Sequence, residues 1–266
     1  MRTGFWAKAS VGAAVAALAF GLPTAAAAQT QKNATPTLPG DFVYLRDVAP
    51  SILQDIRYAT TNNFTGHRLA GYEAGECVLR RQVALALGRV QQDLKPRGLS
   101  LKVFDCYRPR RASRDMLAWA NGPETPALKR YYPKLNKRDL FGLGYIAAYS
   151  GHSTGAVADL TLVELAADNH VTFDPAASYA DCTAAAAKRA PEGSIDMGTG
   201  FDCFDTMSHT ASASITPEQR KWRQTLKAAM GRQGFVNYFR EWWHFSMSGA
   251  GGGAFDFPIA RRGQAQ

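Results

Sequence analysis

The sequence predicts a single α+β domain. Helix-like and strand-like segments interleave along it without the regular strand-helix-strand alternation of a parallel α/β fold. No internal repeat is visible at any period, and 266 residues at 46% hydrophobic and 20% charged suffice for one large core. That composition excludes disorder and collagen-like repeats as the main state. The formal charge is +9, or about +7 once Arg2 and Lys8 of the leading segment are set aside. Spread this thinly, the excess does not point to nucleic acid.

Residues 1–28 read as a Sec-type signal peptide. A short basic end precedes an apolar run over residues 9–22, Pro23 breaks the run, and Ala26-Ala27-Ala28 offers small residues for cleavage before Gln29. The run falls short of the ~20 apolar residues of a membrane-spanning helix, and no later stretch approaches that length, so no integral membrane segment is expected after signal removal. No cysteine follows the small residues, which argues against a lipoprotein. The mature chain is therefore expected in the periplasm or outside the cell. Residues 29–40, rich in Thr, Pro and Ala, read as a flexible leader, and residues 41–260 as the domain. In an exported chain Cys77, Cys106, Cys182 and Cys203, none in a C-x-x-C pair, suit two disulfides. Of the three connectivities, Cys77 with Cys106 and Cys182 with Cys203 is favoured, because each pair closes a loop of about 20 to 30 residues worth ~3 kcal/mol in the chain-entropy model.

Within residues 78–95, Val83, Leu87, Val90 and Leu94 form one face of an amphipathic helix stopped by Pro96 and Gly98. Leu99, Leu101 and Val103 then alternate as a strand running into Asp105-Cys106-Tyr107-Arg108-Pro109, where the proline ends regular pairing and pushes Arg108 into an extended conformation. Residues 112–120 predict a second helix, with Met116 and Trp119 at helical spacing and Asn121-Gly122-Pro123 as its stop. Residues 157–165 are apolar on both faces except at Asp159, Thr161 and Glu164, as in an inner strand, where an aspartate needs a reason. Residues 164–195 have no strong period and read as a surface insertion pinned by Cys182. Thr216-Pro217-Glu218-Gln219 combines an N-cap, an N1 proline and a capping-box glutamine. It opens a helix with Trp222, Leu226 and Met230 on its buried stripe, closed by Gly231 or Gly234. Residues 235–245 are aromatic and strand-like in composition.

The chemistry concentrates in two short stretches. Ser150-Gly151-His152-Ser153-Thr154-Gly155 places a histidine on a glycine-flanked loop ahead of Asp159, and Glu241-Trp242-Trp243-His244 places a second carboxylate and histidine three residues apart. Two imidazoles and one carboxylate fill three tetrahedral positions around a catalytic zinc and leave the fourth for water. The remaining glutamate is the expected general base. In a regular strand Glu241 and His244 would face opposite ways, so a helical turn, a bulge or a strand end must separate them; the sequence leaves the three open. His67, His170 and His209 compete as ligands. Trp242 and Trp243 read as core packing that fixes the direction of the ligand.

Residues 150–159 resemble the S-x-H-x-x-G-x-x-x-D zinc motif, and residues 241–244 the E-x-x-H motif, of the D-alanyl-D-alanine dipeptidases. These are zinc peptidases related to the vancomycin-resistance dipeptidases, in the wider fold group of D-Ala-D-Ala carboxypeptidases, lysostaphin-type enzymes and the hedgehog domain. Residues 55–66 (DIRYATTNNFTG), 104–111, 197–209 and Phe255-Asp256-Phe257-Pro258 are similar to further blocks of that family, so the likeness covers about residues 42–258. It implies a hedgehog/D-Ala-D-Ala peptidase-like fold: α+β, with a central, mostly antiparallel sheet flanked by helices. It also implies His152, Asp159 and His244 as ligands of one zinc ion and Glu241 as catalytic base. Arg108 matches the arginine that stabilises the oxyanion, its neighbours Arg110, Arg111 and Arg114 being solvated. Tyr58 and Asp202 match positions that hold the substrate ammonium, and Ser150 one at the substrate's far end.

The activity so implied is zinc-dependent hydrolysis of free D-Ala-D-Ala to two D-alanines, in an exported enzyme a step of cell-wall turnover or scavenging. A carboxylate facing the ammonium favours a dipeptide over an N-terminally extended peptide, which would leave Asp202 unpaired. Two other readings are a murein D,D-carboxypeptidase or endopeptidase of the same fold, and a non-catalytic zinc module that binds cell-wall peptides or a protein partner. A pure binder needs neither Glu241 nor Arg108. Two features depart from the family: Val157-Ala158 replaces the more usual small-then-branched order, and the longer insertion at residues 164–195 is a candidate cover for the cleft. Oligomeric state is not legible.

Overall fold

In chain order the elements of the computed structural model are β1 (Phe42–Tyr44), α1 (Leu45–Val48), β2 (Leu53–Gln54), β3 (Val78–Arg80), α2 (Arg81–Leu94), β4 (Leu99–Asp105), α3 (Arg110–Asn121), β5 (Val157–Glu164), α4 (Pro217–Arg232), β6 (Phe235–Asn237) and β7 (His244–Met247). The structure describes residues 38–262; the expected signal peptide and all but the last three residues of the leader lie outside that range. A five-stranded sheet has the order β2-β4-β5-β7-β6, and β1 and β3 form a separate antiparallel pair. Only β2 and β4 run parallel in the larger sheet. The fold is therefore α+β and mostly antiparallel, as expected.

The helix expected from residue 78 starts at Arg81, because Val78–Arg80 pairs with Phe42–Tyr44 as β3. Tertiary pairing here overrides a local pattern compatible with helix. Val83, Leu87, Val90 and Leu94 are buried along α2, and Gly98 closes the following 3-10 turn in the left-handed conformation at φ 70°. In α4 the capping box forms in both directions: Thr216 Oγ1 accepts from Gln219 N at 3.2 Å, and Gln219 Oε1 from Thr216 N at 2.9 Å. Leu226 and Met230 are fully buried while Trp222 is only partly so. Beside them the buried Arg223 donates to the carbonyls of Met197, Met207 and His209, tying the 197–209 segment to the helix.

The inner strands β4 and β5 are buried along nearly their whole length, with α2 packed on β4 and α4 on β5 and β6. Both favoured disulfides form, Cys77–Cys106 and Cys182–Cys203. The insertion at residues 164–195 has a single 3-10 turn of its own, Ala186–Lys188. Besides the disulfide, the buried Lys102 of β4 pins it by donating to the carbonyls of Asn169, Glu192 and Gly193 at 3.0, 2.7 and 3.0 Å.

Candidate active site

Three neighbouring strands each deliver one functional side chain at the same level. Asp105 at the end of β4 pairs in register with Asp159 of β5, and Asp159 with His244, the first residue of β7. Cross-strand partners share a face of the sheet, and a register shift between Val103 and Asp105 completes the alignment. His152 comes from the 3-10 turn Gly151–Thr154, where Ser150 Oγ caps by accepting from His152 N at 3.3 Å. The turn closes at Gly155, whose φ of 76° and contact with the Phe42 ring leave no room for a Cβ. Glu241 and His244 reach the same side because a turn at Trp242 and Trp243 precedes the strand end, with His244 N donating to Glu241 O at 3.3 Å. That resolves the three geometries left open by the spacing. Both tryptophans are buried, Trp242 with Nε1 donating to Thr199 Oγ1 at 2.8 Å, and Trp243 also lines the cleft described below.

The donor atoms of His152, Asp159 and His244 all lie within 4.8 Å of one another. His152 Nε2 is 3.3 Å from both His244 Nδ1 and Asp159 Oδ2, and His244 Nδ1 is 3.0 Å from Asp159 Oδ1. Ligand atoms about 3.3 Å apart are what a tetrahedral site with bonds of ~2.0–2.1 Å requires. His152 Nδ1 is 2.7 Å from the Cys106 carbonyl, a bond it can only donate, which leaves the Nε2 lone pair directed at the group. Asp159 Oδ1 is buried without a hydrogen bond despite the nearby ring nitrogen, as expected where lone pairs converge on a shared target. Burial raises the Asp159 carboxyl, but His152 and His244 outweigh it and hold it below its usual range. Burial lowers His244 against the pull of Asp159, favouring the neutral ring. Carboxylate and neutral imidazole are the forms that bind metal, so the residues present fit a divalent cation.

All the site residues singled out in the sequence line one cleft of about 220 Å³: Tyr58, Arg108, Ser150, His152, Asp159, Asp202, Glu241 and His244. Glu241 is buried, and its carboxyl is pushed well above the usual range by burial and by the charges of Asp159 and Asp202, against Arg108. Asp202 is raised likewise, by burial and then Asp159, with Arg108 and the Tyr58 hydroxyl opposing. Tyr58 donates to Asp202 Oδ2 at 2.9 Å. Among the described residues Asp202 is the non-glycine with left-handed backbone, at φ 56°. Such a conformation costs of order 1–3 kcal/mol and persists where the surroundings over-determine it.

Some expectations need correction. No residue of the insertion lines the cleft; residues 144–147 form that wall instead, tied to the segment before Glu241 by Tyr238 Oη donating to Gly144 O at 3.2 Å and by Arg240 donating to Leu143 O. The disulfide anchors the insertion to Cys203, next to Asp202, and Lys102 anchors it to β4, without any of its residues entering the lining. Arg111 and Arg114 are not merely solvated, since both pair with Asp256, at 3.0 and 2.9 Å. His67 pairs with Asp115, and among the described residues neither it, His170 nor His209 joins the metal-capable group.

The family profile described as D-ala-D-ala dipeptidase matches residues 39–173 and 164–261. A D-alanyl-D-alanine dipeptidase of Streptomyces coelicolor is 34% identical over 226 residues, covering 84% of this chain and 100% of the relative. One from Enterococcus faecium is 31% identical over 221 residues, 82% of this chain and 98% of the relative. One from Escherichia coli is 27% identical over 207 residues, 78% and 84% of the two chains. The chain belongs to the D-Ala-D-Ala dipeptidase family.

In this dipeptidase-family chain the sequence alone does not single out Asp105. It is fully buried, accepts from Tyr72 Oη at 2.6 Å, and holds Arg108 through Nε at 3.0 Å and Nη2 at 2.9 Å. The one local signal for it is its place three residues before Arg108. The cleft wall at residues 144–147 carries no motif at all.

Proposed function

We propose that this chain hydrolyses free D-Ala-D-Ala to two D-alanines, using one zinc ion held by His152, Asp159 and His244. The charge balance of the cleft carries this reading. Among the described residues that line the cleft, three buried carboxyls, Asp159, Asp202 and Glu241, share it with the guanidinium of Arg108, which Asp105 already pairs from behind the lining. A divalent cation at Asp159 and a substrate ammonium at Asp202 each meet a carboxylate there. A peptide extended at its N-terminus brings no ammonium to Asp202 and leaves it desolvated without a counter-charge. The small cleft, about 220 Å³, suits methyl side chains better than a drug-sized ligand, whose pockets start near ~300 Å³. Two imidazoles favour zinc over magnesium or calcium, which prefer all-oxygen sites.

When bound, the ion supplies Lewis acidity toward the scissile carbonyl and a water of lowered pKa. Glu241 accepts the proton of the attacking water and returns it to the leaving amine. Arg108, planar and permanently charged, donates to the developing oxyanion. Asp202 and Tyr58 receive the ammonium, and Ser150 lies toward the substrate's far end. With both disulfides made and the leading segment read as a signal peptide, the enzyme acts outside the cytosol on dipeptide released by wall turnover, in a scavenging role.

The test compares alanine release by the zinc-loaded chain from D-Ala-D-Ala, L-Ala-L-Ala and a stem pentapeptide ending in D-Ala-D-Ala. The expected kcat/KM for the D,D-dipeptide exceeds both others by at least ~10²-fold, the discrimination a site built around a buried polar group reaches. Faster turnover of the stem peptide would make the protein a carboxypeptidase, and zinc binding without hydrolysis of any of them a binding module.

A further inference from the structure

We infer that Asp105 is a positioning residue for Arg108, fixing the guanidinium beside the metal-capable group; the inference rests on the dipeptidase reading above. Asp105 is fully buried at the end of β4, and both its oxygens are engaged. Oδ1 accepts from the buried Tyr72 hydroxyl at 2.6 Å, which stops the carboxylate from rotating. Oδ2 accepts from Arg108 Nε at 3.0 Å and Nη2 at 2.9 Å, gripping one edge of the fork. The Tyr58 ring supports the guanidinium face, 4.9 Å from its centre. Held on an edge and a face, Arg108 keeps Nη2 3.9 Å from Asp159 Oδ2; Nη1 donates one N–H to Met116 Sδ at 3.6 Å, and its other N–H and the free N–H of Nη2 remain for the cleft.

A long side chain with three rotatable bonds beyond Cβ does not hold such a place unaided, and electrostatic stabilisation of a transition state depends on donors that are already in place. The same Oδ2 is 3.3 Å from His152 Nδ1, but that ring already has the Cys106 carbonyl at 2.7 Å. Asp105 is therefore assigned to Arg108 and not to the metal-capable group. Charge also matters: the neutral amide of an asparagine keeps one acceptor oxygen and loses the attraction that grips the fork.

The test uses the full zinc-loaded chain with D-Ala-D-Ala, in wild type, Asp105→Asn, Arg108→Ala and the double variant. Asp105→Asn is expected to lower kcat ~10- to 100-fold with KM within about threefold and zinc content unchanged, the loss typical of a supporting partner. Arg108→Ala is expected to lose at least ~10²-fold, and the double variant no more than Arg108→Ala, since Asp105 acts through that side chain. Wild-type kcat in Asp105→Asn, or losses that multiply in the double variant, would overturn the inference. A second readout needs neither activity nor a folded variant: in the nitrogen-15-labelled wild-type chain the Arg108 Nε–H should exchange slowly with solvent. Rapid exchange there would overturn the inference too. If the wild type releases no alanine, the dipeptidase reading fails, and the exchange measurement still decides whether Asp105 holds Arg108.

Discussion

Asp159 sits where an inner strand would ordinarily place an apolar residue, and it is only 2% exposed. Burying a carboxylate costs several kcal/mol unless a cation or hydrogen bonds compensate, so this position fits a ligand. The same logic separates the roles of its neighbours. Glu241→Ala is expected to retain one zinc per chain after dialysis and lose at least ~10³-fold in alanine release. His152→Ala is expected to lose both zinc and turnover, and metal analysis beside the alanine assay distinguishes the two. An active Glu241→Ala variant would mean another base. The residues proposed as ligands and base were legible in the sequence through their likeness to the family's two metal motifs, which the spacing of histidines and carboxylates alone does not secure. Asp105 was not, because it meets Asp159 through strand register, which no spacing in the chain encodes.

The 3-10 turn carrying His152 is the element on which the site depends most. Gly155 ends it with φ at 76°, and an added Cβ would overlap the Phe42 ring. Gly155→Ala therefore combines backbone strain with a clash and is expected to cost ~2 kcal/mol or more in thermal unfolding. Zinc affinity is expected to fall at least ~10-fold, since the turn aims the imidazole. Unchanged affinity would show that the turn can relax without moving His152. Elements with a long apolar period, α2 and α4, were legible, α4 with its capping box. The β1–β3 pair was not: three-residue strands carry too little pattern, and Val78–Arg80 continues the helical stripe until a partner strand captures it. The aromatic stretch before β7 read as strand, and a turn in it is what turns Glu241 and His244 to one side.

Across the molecule the two disulfides tie distant segments to the cleft. Cys106 lies between Asp105 and Arg108 in the chain and its carbonyl orients His152, while Cys203 follows Asp202 directly. Their sequence separations of 29 and 21 make each worth ~3–4 kcal/mol in the chain-entropy model. Replacing either pair by serine is expected to lower Tm by about 10 °C in calorimetry, given ~2–4 °C per kcal/mol for a domain of this size. A change of only a degree or two would show that the loops are already held by other contacts. The cysteine pairing was legible from loop lengths, but the path of the insertion was not. It follows Lys102, which captures carbonyls 67 to 91 residues away.

The decisive measurement is a zinc titration of chelator-treated protein with release of D-alanine from D-Ala-D-Ala as the signal. The proposal predicts no turnover without metal, a linear rise, and a sharp plateau at one zinc per chain. Turnover by the metal-free protein, or protein that takes up no zinc, would contradict it.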